Sequence, residues 1–171
     1  MSAIYAFKIM ESPIGALKLV ASDKGLAAIL WENDDPKRVR LTPLVVDEKN
    51  SILQKAEQQL QEYFAGKRSS FDLPLDFNGT DFQKEVWERL LKIPYGTTTT
   101  YGEIAKQINR PKAMRAVGAA NGKNPISIIA ACHRVIGASG KLVGFAGGLE
   151  IKAFLLNLEQ EGAKSKETGQ A

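Results

Sequence analysis

A thiol attacks only as a thiolate, and its pKa falls when a base or cations stand beside it. This chain has one cysteine, Cys132, followed directly by its one histidine, His133, and then by Arg134 and Val135. The four residues close an apolar run, Ile126-Ser127-Ile128-Ile129-Ala130-Ala131. That pattern suits a reactive cysteine presented at the end of a buried strand. A lone cysteine in an intracellular protein is more often a small buried hydrophobe, and neighbouring residues on a strand point to opposite faces. Taken alone, the pair leaves both readings open, and the elements that must position it decide between them.

With 171 residues, 44% of them apolar, the chain can bury a core as one domain or as two small ones. A single cysteine excludes an intrachain disulfide framework, and one cysteine with one histidine argues against a zinc site of the usual nitrogen and sulfur ligands. The start has no basic leader ahead of a long apolar core, and no segment approaches ~18 uninterrupted apolar residues. A cytoplasmic protein without membrane attachment is expected. A net charge of +4 is a weak pointer to nucleic acid; where the charge sits says more.

The first half predicts an antiparallel meander with a helix against it. Ile4 to Lys8 and Ala16 to Ala21 are strand-like and joined by the turn Ser12-Pro13-Ile14-Gly15, and Gly25 to Trp31 forms a third strand. Glu32 to Arg40 is polar and reads as a loop or short exposed helix. Ile52, Ala56, Leu60, Tyr63 and Phe64 recur at helical spacing, with Asn50 or Ser51 as N-cap and Gly66 as the stop. No reactive constellation is visible there, so its expected role is to scaffold the rest.

Phe77-Asn78-Gly79-Thr80 is the natural boundary, giving a scaffold domain over 1–79, a second domain over 80–162 and a polar tail over 163–171. Thr80 or Asp81 caps a helix whose stripe is Phe82, Val86, Leu90 and Leu91, ended by Ile93-Pro94-Tyr95-Gly96. Tyr101 to Ile108 is a short helix, Asn109-Arg110-Pro111 a tight turn, and Lys112 to Ala120 a further helix. The last helix runs from about Leu149 to Leu158, with Ile151, Phe154, Leu155 and Leu158 inward.

Two short helices across a turn make a helix-turn-helix, whose second member can enter a DNA groove. Generic helical hairpins look alike, but the charge supports DNA. Lys106, Arg110, Lys112, Arg115, Lys123, Arg134 and Lys141 lie in a stretch where Glu103 is the sole acid, the footprint of phosphate binding. A solvated basic face is the alternative. The second helix carries Ala113, Ala116, Val117, Gly118, Ala119 and Ala120, which approach a groove closely but cannot read base edges. Sequence-independent binding is expected, with Arg115 inserted where a base has been taken out of the stack.

Phe82-Gln83, Val86-Trp87, Ile93-Pro94, Gly96, Tyr101, Pro111 to Gly118, Asn124-Pro125, Cys132-His133-Arg134-Val135 and Gly147-Gly148 resemble, in unbroken order, the O6-alkylguanine-DNA alkyltransferases, also called methylated-DNA–protein-cysteine methyltransferases. The resemblance covers about Thr80 to Gln160; the first half matches in layout. It implies an α+β protein with an N-terminal small antiparallel sheet and helix in a ribonuclease H-like layout. A mainly helical, winged-helix-like C-terminal domain would carry the helix-turn-helix. It implies direct damage reversal, in which the protein takes an alkyl group from O6 of guanine, and from O4 of thymine, in one irreversible step with base flipping. Cys132 would be the acceptor, His133 the base acting through a water, and Glu159 the group orienting the imidazole. Glu161 lies close enough in register to take that last role. Asn124 would brace the active-site turn, although Asn-Pro is also an ordinary turn opener. Tyr101 would donate a proton to the departing guanine, where helix rules alone make it a half-buried aromatic.

The DNA-facing set is then Thr100, Lys112, Ala113, Arg115, Ala116 and Arg134, and the substrate pocket Val135, Gly144, Phe145 and Ala146. The carbonyls of Cys132 and Val135 and an amide near Ala146 would bond the extruded base. The small residues at 144 and 146 favour tolerance of larger alkyl groups. The resemblance implies no metal, no organic cofactor, and a monomer acting on double-stranded DNA that carries O6-alkylguanine. It also implies a proline directly before the cysteine, where this chain has Ala131. Since proline fixes φ, its loss should loosen the turn and slow the reaction or lower stability. A relative that recognises lesions without repair would carry tryptophan at the cysteine position. A cysteine hydrolase would turn over repeatedly and leaves the helix pair unexplained. A plain DNA-binding regulator would show sequence preference and no thiol chemistry.

Overall fold

Pro13 and Gly15 reverse the chain between two apolar segments, Gly15 adopting φ +101° and donating its N–H to the Ser12 carbonyl at 3.1 Å. The computed structural model describes residues 4–140 and 145–167, with side chains as far as residue 164. Its chain divides into two units, residues 1–78 with 125–127 and residues 79–124 with 128–171.

In the first unit the turn joins β1 (Tyr5–Met10) to β2 (Leu17–Ala21), which pairs in turn with β3 (Leu26–Trp31), all antiparallel. In β2 Leu17, Leu19, Val20 and Ala21 are buried, a strand apolar on both faces and therefore internal to the sheet. The meander is joined by a strand the sequence pattern did not suggest, β4 (Leu44–Val46), parallel to β1, which makes the sheet mixed, in the order β3-β2-β1-β4. Three residues, with Val45 and Val46 exposed, are too short to show a period. Helix α1 (Ser51–Phe64) starts at Asn50, whose side chain accepts the Leu53 N–H at 3.1 Å, and Gly66 follows it at φ +75°. Its inward residues are Leu53, Ala56, Gln59, Leu60 and Tyr63, a slightly rotated version of the expected stripe.

The second unit opens with α2 (Asp81–Leu90), held by a reciprocal capping box between Thr80 and Gln83. Val86, Trp87 and Leu90 face inward, and Trp87 Nε1 donates to the Ala120 carbonyl at 2.8 Å. Leu91, expected inside, is exposed. A two-residue strand β5 (Thr99–Thr100) leads into α3 (Tyr101–Gln107), capped by the Thr100 hydroxyl. The turn contains Asn109 at φ +61°, and α4 (Met114–Gly122) packs on α3. Helix α4 starts two residues later than expected because Ala113, its N-cap, offers no side-chain acceptor for the first N–H groups.

Residues 126–131 are not a strand, contrary to the expectation from their apolarity. They form turns in which Ile128 sits at φ +74°, and Cys132–Arg134 is a single 3₁₀ turn leading into β6 (Val135–Ile136), parallel to β5. Apolarity reported burial here, not conformation. The final helix α5 (Leu149–Glu167) runs through residues expected to be tail. Its buried positions are Lys152, Leu155 and Glu159, while Phe154 is exposed, so the helix is turned away from the phase its hydrophobic residues suggest.

Candidate active site

The rotation of α5 brings two ionisable side chains against the turn that carries the cysteine. Cys132 is 5% exposed and His133 wholly buried. The ring Nε2 of His133 lies 2.6 Å from Glu159 Oε2. A carboxylate accepts only, so Nε2 carries the proton and Nδ1 is left with its lone pair. Nδ1 has no hydrogen-bond partner among the described residues. Burial is the main cause that lowers the imidazole pKa, against the raising effect of Glu159; the ring is neutral, as a base must be. Of the two acids in register, Glu159 takes the position, whereas Glu161 is exposed and pairs with Lys164 at 3.9 Å.

Glu159 also holds Arg134, whose Nε and Nη2 donate to its two oxygens at 2.7 and 2.9 Å, while Nη1 donates to the Ile93 carbonyl at 2.5 Å. Burial would raise the Glu159 carboxyl, but the hydrogen bonds and charges of His133 and Arg134 overcome it and bring the pKa down to about 2. Arg134 is therefore corrected. Expected on the DNA side, it is 6% exposed and its donors are committed inside the protein, with the Tyr95 ring 5.7 Å away.

The turn itself is braced from behind. Asn124, wholly buried, donates Nδ2 to the Ala130 carbonyl at 2.8 Å, and the same oxygen accepts the Cys132 N–H at 2.8 Å. Ala131 has φ −80° and donates its N–H to the Leu90 carbonyl at 3.3 Å, a bond that proline could not make. Ile128 at positive φ is a β-branched residue in a region costing about 1–3 kcal/mol, held there by burial at 1% exposure.

Lys152 was not anticipated. It is wholly buried, its Nζ donates to the Val135 carbonyl at 2.6 Å and lies 5.9 Å from the centre of the Phe145 ring. Burial lowers its pKa, and the Cys132 charge opposes that, so the ammonium in turn favours the thiolate. No hydrophobic period signals such a residue; a lysine within an otherwise apolar stretch, seven residues before Glu159, was the available clue. Tyr101, the first residue of α3, is half-buried. Burial raises its pKa, the Cys132 charge adds to this, and a hydrogen bond from Asn121 opposes both.

Of the remaining expected residues, Lys112, Arg115 and Ala116 are exposed, Ala113 and Thr100 half-buried. Lys112, Arg115 and Lys123 make no ion pair among the described residues, whereas Arg110 pairs with Glu85 at 3.7 Å and Lys106 with Glu103 at 3.5 Å. The Thr100 hydroxyl is engaged as the α3 cap. The Cys132 carbonyl already accepts the Val135 N–H and the Val135 carbonyl the Lys152 ammonium, which leaves each oxygen its second lone pair. Phe145 is partly buried and Ala146 exposed; Gly144 lies outside the described residues. Among the described residues no group of His, Cys, Asp and Glu is arranged to hold a metal ion, and no helix is long and apolar enough to cross a membrane.

A buried base fixed by a carboxylate, beside a cysteine on a turn, is the arrangement of an activated nucleophile. Comparison with known proteins agrees in both units. The ribonuclease-like domain of 6-O-methylguanine DNA methyltransferase matches residues 5–77, and the DNA binding domain of the same family matches residues 81–161. The methylated-DNA–protein-cysteine methyltransferase of Methanosarcina acetivorans is 52% identical over 153 residues, which cover 90% of this chain and 97% of that protein. Its namesake in Mycobacterium tuberculosis is 49% identical over 159 residues, with 92% and 93% covered. Among solved structures, Mycobacterium tuberculosis OGT in complex with DNA superposes with a TM-score of 0.83 at 47% identity, covering 93% of this chain and 94% of that one. An O6-methylguanine DNA methyltransferase from Methanococcus jannaschii superposes at 0.64 with 28% identity, covering 90% and 93%. With both domains matched in order and about half the residues shared along whole relatives, the chain belongs to the 6-O-methylguanine DNA methyltransferase family.

Proposed function

We propose that this protein repairs DNA by direct reversal, moving a methyl or other alkyl group from O6 of guanine, and from O4 of thymine, onto Cys132 once per chain. The thiol proton passes to His133 Nδ1 through an intervening water, and the thiolate attacks the alkyl carbon in line with the departing oxygen. The S–C bond forms as the C–O bond breaks, guanine keeps the electron pair, and Tyr101 supplies the proton it takes up. His133 then returns the thiol proton to Tyr101 through solvent, so protons balance. The product thioether is stable, so the protein is consumed.

The observation that carries this reading is the His133–Glu159 contact, because it leaves a neutral imidazole whose Nδ1 has no partner among the described residues, in the residue that directly follows the chain's one cysteine. Arg115 on exposed α4 fills the place of the flipped nucleotide, and Lys112, Ala113, Ala116 and Thr100 lie along the duplex. Val135, Phe145 and Ala146 form the pocket, with Asn124 bracing the turn that carries Cys132. The protein acts as a cytoplasmic monomer on double-stranded DNA, as two domains divided near residue 79. Intact mass after incubation with an O6-methylguanine duplex tests this. One added methyl per chain, absent in Cys132→Ala and stopping at one equivalent, is expected; tight binding without mass change would replace repair by recognition alone.

A further inference from the structure

Strand register fixes which side chains share each face of the four-stranded sheet. Lys8, opposite Leu19, pairs with Glu57 of α1 at 3.0 Å, so theirs is the face that the helix covers. The other face carries Phe7 opposite Val20, and Lys18 between Ile9 and Leu30. An apolar sheet face needs a covering layer, and α1 is the one helix of the first unit among the described residues. The segment between β3 and β4 crosses this second face instead, since those strands stand at opposite edges of the sheet. Its Leu41 packs with Val20 and Ala28, and Phe7, Leu30, Val39 and Leu44 border the cluster.

This cover leaves space beneath it. Two cavities, of about 480 and 260 Å³, lie along the segment and share Lys18, Leu30, Pro36 and Val39. The larger is of small-ligand size. Val20, Leu41 and Leu44 also line it, and so do Lys37 and Arg40, both exposed; no described acid does. The nearby acids are engaged elsewhere. Asp34 accepts Arg38 Nε at 2.8 Å and Nη2 at 2.7 Å, and the Asp35 carboxylate accepts the Lys37 N–H at 2.8 Å. Lys37 and Arg40 make no ion pair among the described residues, and Lys18 Nζ rests 5.2 Å from the centre of the Phe7 ring. Three uncompensated cations around an apolar cavity favour an anion with an apolar body, whose tail leaves water while its head stays at the wet rim. The crossing segment occupies the place of an added helix or sheet, so the occupant is small.

We infer that the larger cavity binds a small amphipathic anion, its apolar body seated on Val20, Leu30 and Leu44 and its single anionic head held by Lys37 and Arg40. The site lies within the first unit and stands apart from the alkyl-transfer reading. Octanoate is the probe, titrated into the full-length ¹⁵N-labelled protein while the amide resonances around Val20 and from Lys37 to Leu44 are followed. A saturable shift is expected, with a Kd of about 1 mM, weakening about threefold or more as salt is raised to roughly 0.2 M. 1-Octanol, which has the tail without the charge, and acetate, which has the charge without the tail, bind at least about tenfold more weakly. Octyl phosphate saturates the same amides, and the tighter of the two anions names the head group. Lys37→Glu/Arg40→Glu weakens octanoate binding about tenfold, as does Val39→Phe, which fills the space. If Val39→Phe does not fold, the exposed charge pair decides alone. No saturable shift by about 10 mM octanoate, equal binding of 1-octanol, or unchanged binding in Lys37→Glu/Arg40→Glu would overturn the site. Vesicles of phosphatidylcholine and phosphatidylglycerol leave these amides unmoved; shifts by vesicles and none by octanoate would make this face a lipid-surface contact and refute the cavity.

Discussion

Glu159→Gln is the most searching single change to this molecule. The carboxylate receives one bond from His133 and two from Arg134, at 2.6, 2.7 and 2.9 Å, at 1% exposure. Its pKa stands at about 2, against 4.5 for the ordinary group. At about 1.4 kcal/mol per pH unit, that difference is worth about 3 kcal/mol of folding free energy. Removing one partner of a buried ion pair gives a comparable figure, roughly 3–5 kcal/mol, because Arg134 would remain buried without its counter-charge. The sign follows from the direction of the displacement. The folded carboxyl is the stronger acid, so its stabilisation is complete above the unfolded pKa and drains away as pH falls through the folded one. Urea unfolding of both proteins should therefore show the variant about 3 kcal/mol less stable near pH 7 and near pH 5. The gap should narrow below pH 4.5 and largely close towards pH 2. A gap that does not change with pH, or one below about 1 kcal/mol at neutrality, would refute the ionic account of this contact.

Lys152→Met removes the buried ammonium that favours the thiolate, so the pH profile of iodoacetamide modification at Cys132 should move to higher pH; an unmoved profile would separate Lys152 from the sulfur. Because burial lowers the pKa of His133, the imidazole stays a neutral base below its ordinary value of 6.5, and methyl transfer should persist below that pH until His133 protonates. Rates falling at or above pH 6.5 would contradict it. Arg115→Ala should slow transfer from duplex DNA about tenfold or more while leaving reaction with free O6-methylguanine base unchanged, whereas Arg134→Ala should lose stability by about 3 kcal/mol. Ala131→Pro gains about 0.4–1 kcal/mol from the stiffer unfolded chain and loses about 0.5–1.5 kcal/mol with the Leu90 bond. Its urea midpoint should accordingly shift little, and a change above about 2 kcal/mol would show that one of the two terms is misjudged.

Much of the candidate site was legible along the chain because its chemistry is carried by rare residues. One cysteine and one histidine, adjacent, leave few alternatives, and the spacing from Phe82 to Gly148 adds independent matches. Local rules also located the Thr80 cap, the short helix pair and the meander, since capping, turns and periodicity act over a few residues. The same rules failed for α5. Ile151, Phe154, Leu155 and Leu158 suggested one inward face; Leu155 is buried, but Phe154 is exposed and the buried face includes Lys152 and Glu159. Charged groups can be buried only when partners meet them, and those partners, the Val135 carbonyl, His133 and Arg134, lie 17 to 26 positions away.

The sequence by itself determined the candidate nucleophile, the candidate base and the family, because those depend on which side chains exist and how they are spaced. Tertiary structure decided what each charge does. It withdrew Arg134 from the DNA side into a clamp on Glu159, chose Glu159 over Glu161, and set Lys152 beneath the turn. It also folded an apolar run that reads as a strand into turns, with Ile128 at positive φ. The physical reason is common to all four. A side chain's ionisation and partners depend on burial and on groups brought from elsewhere in the chain, and neither is a property of its neighbours in sequence.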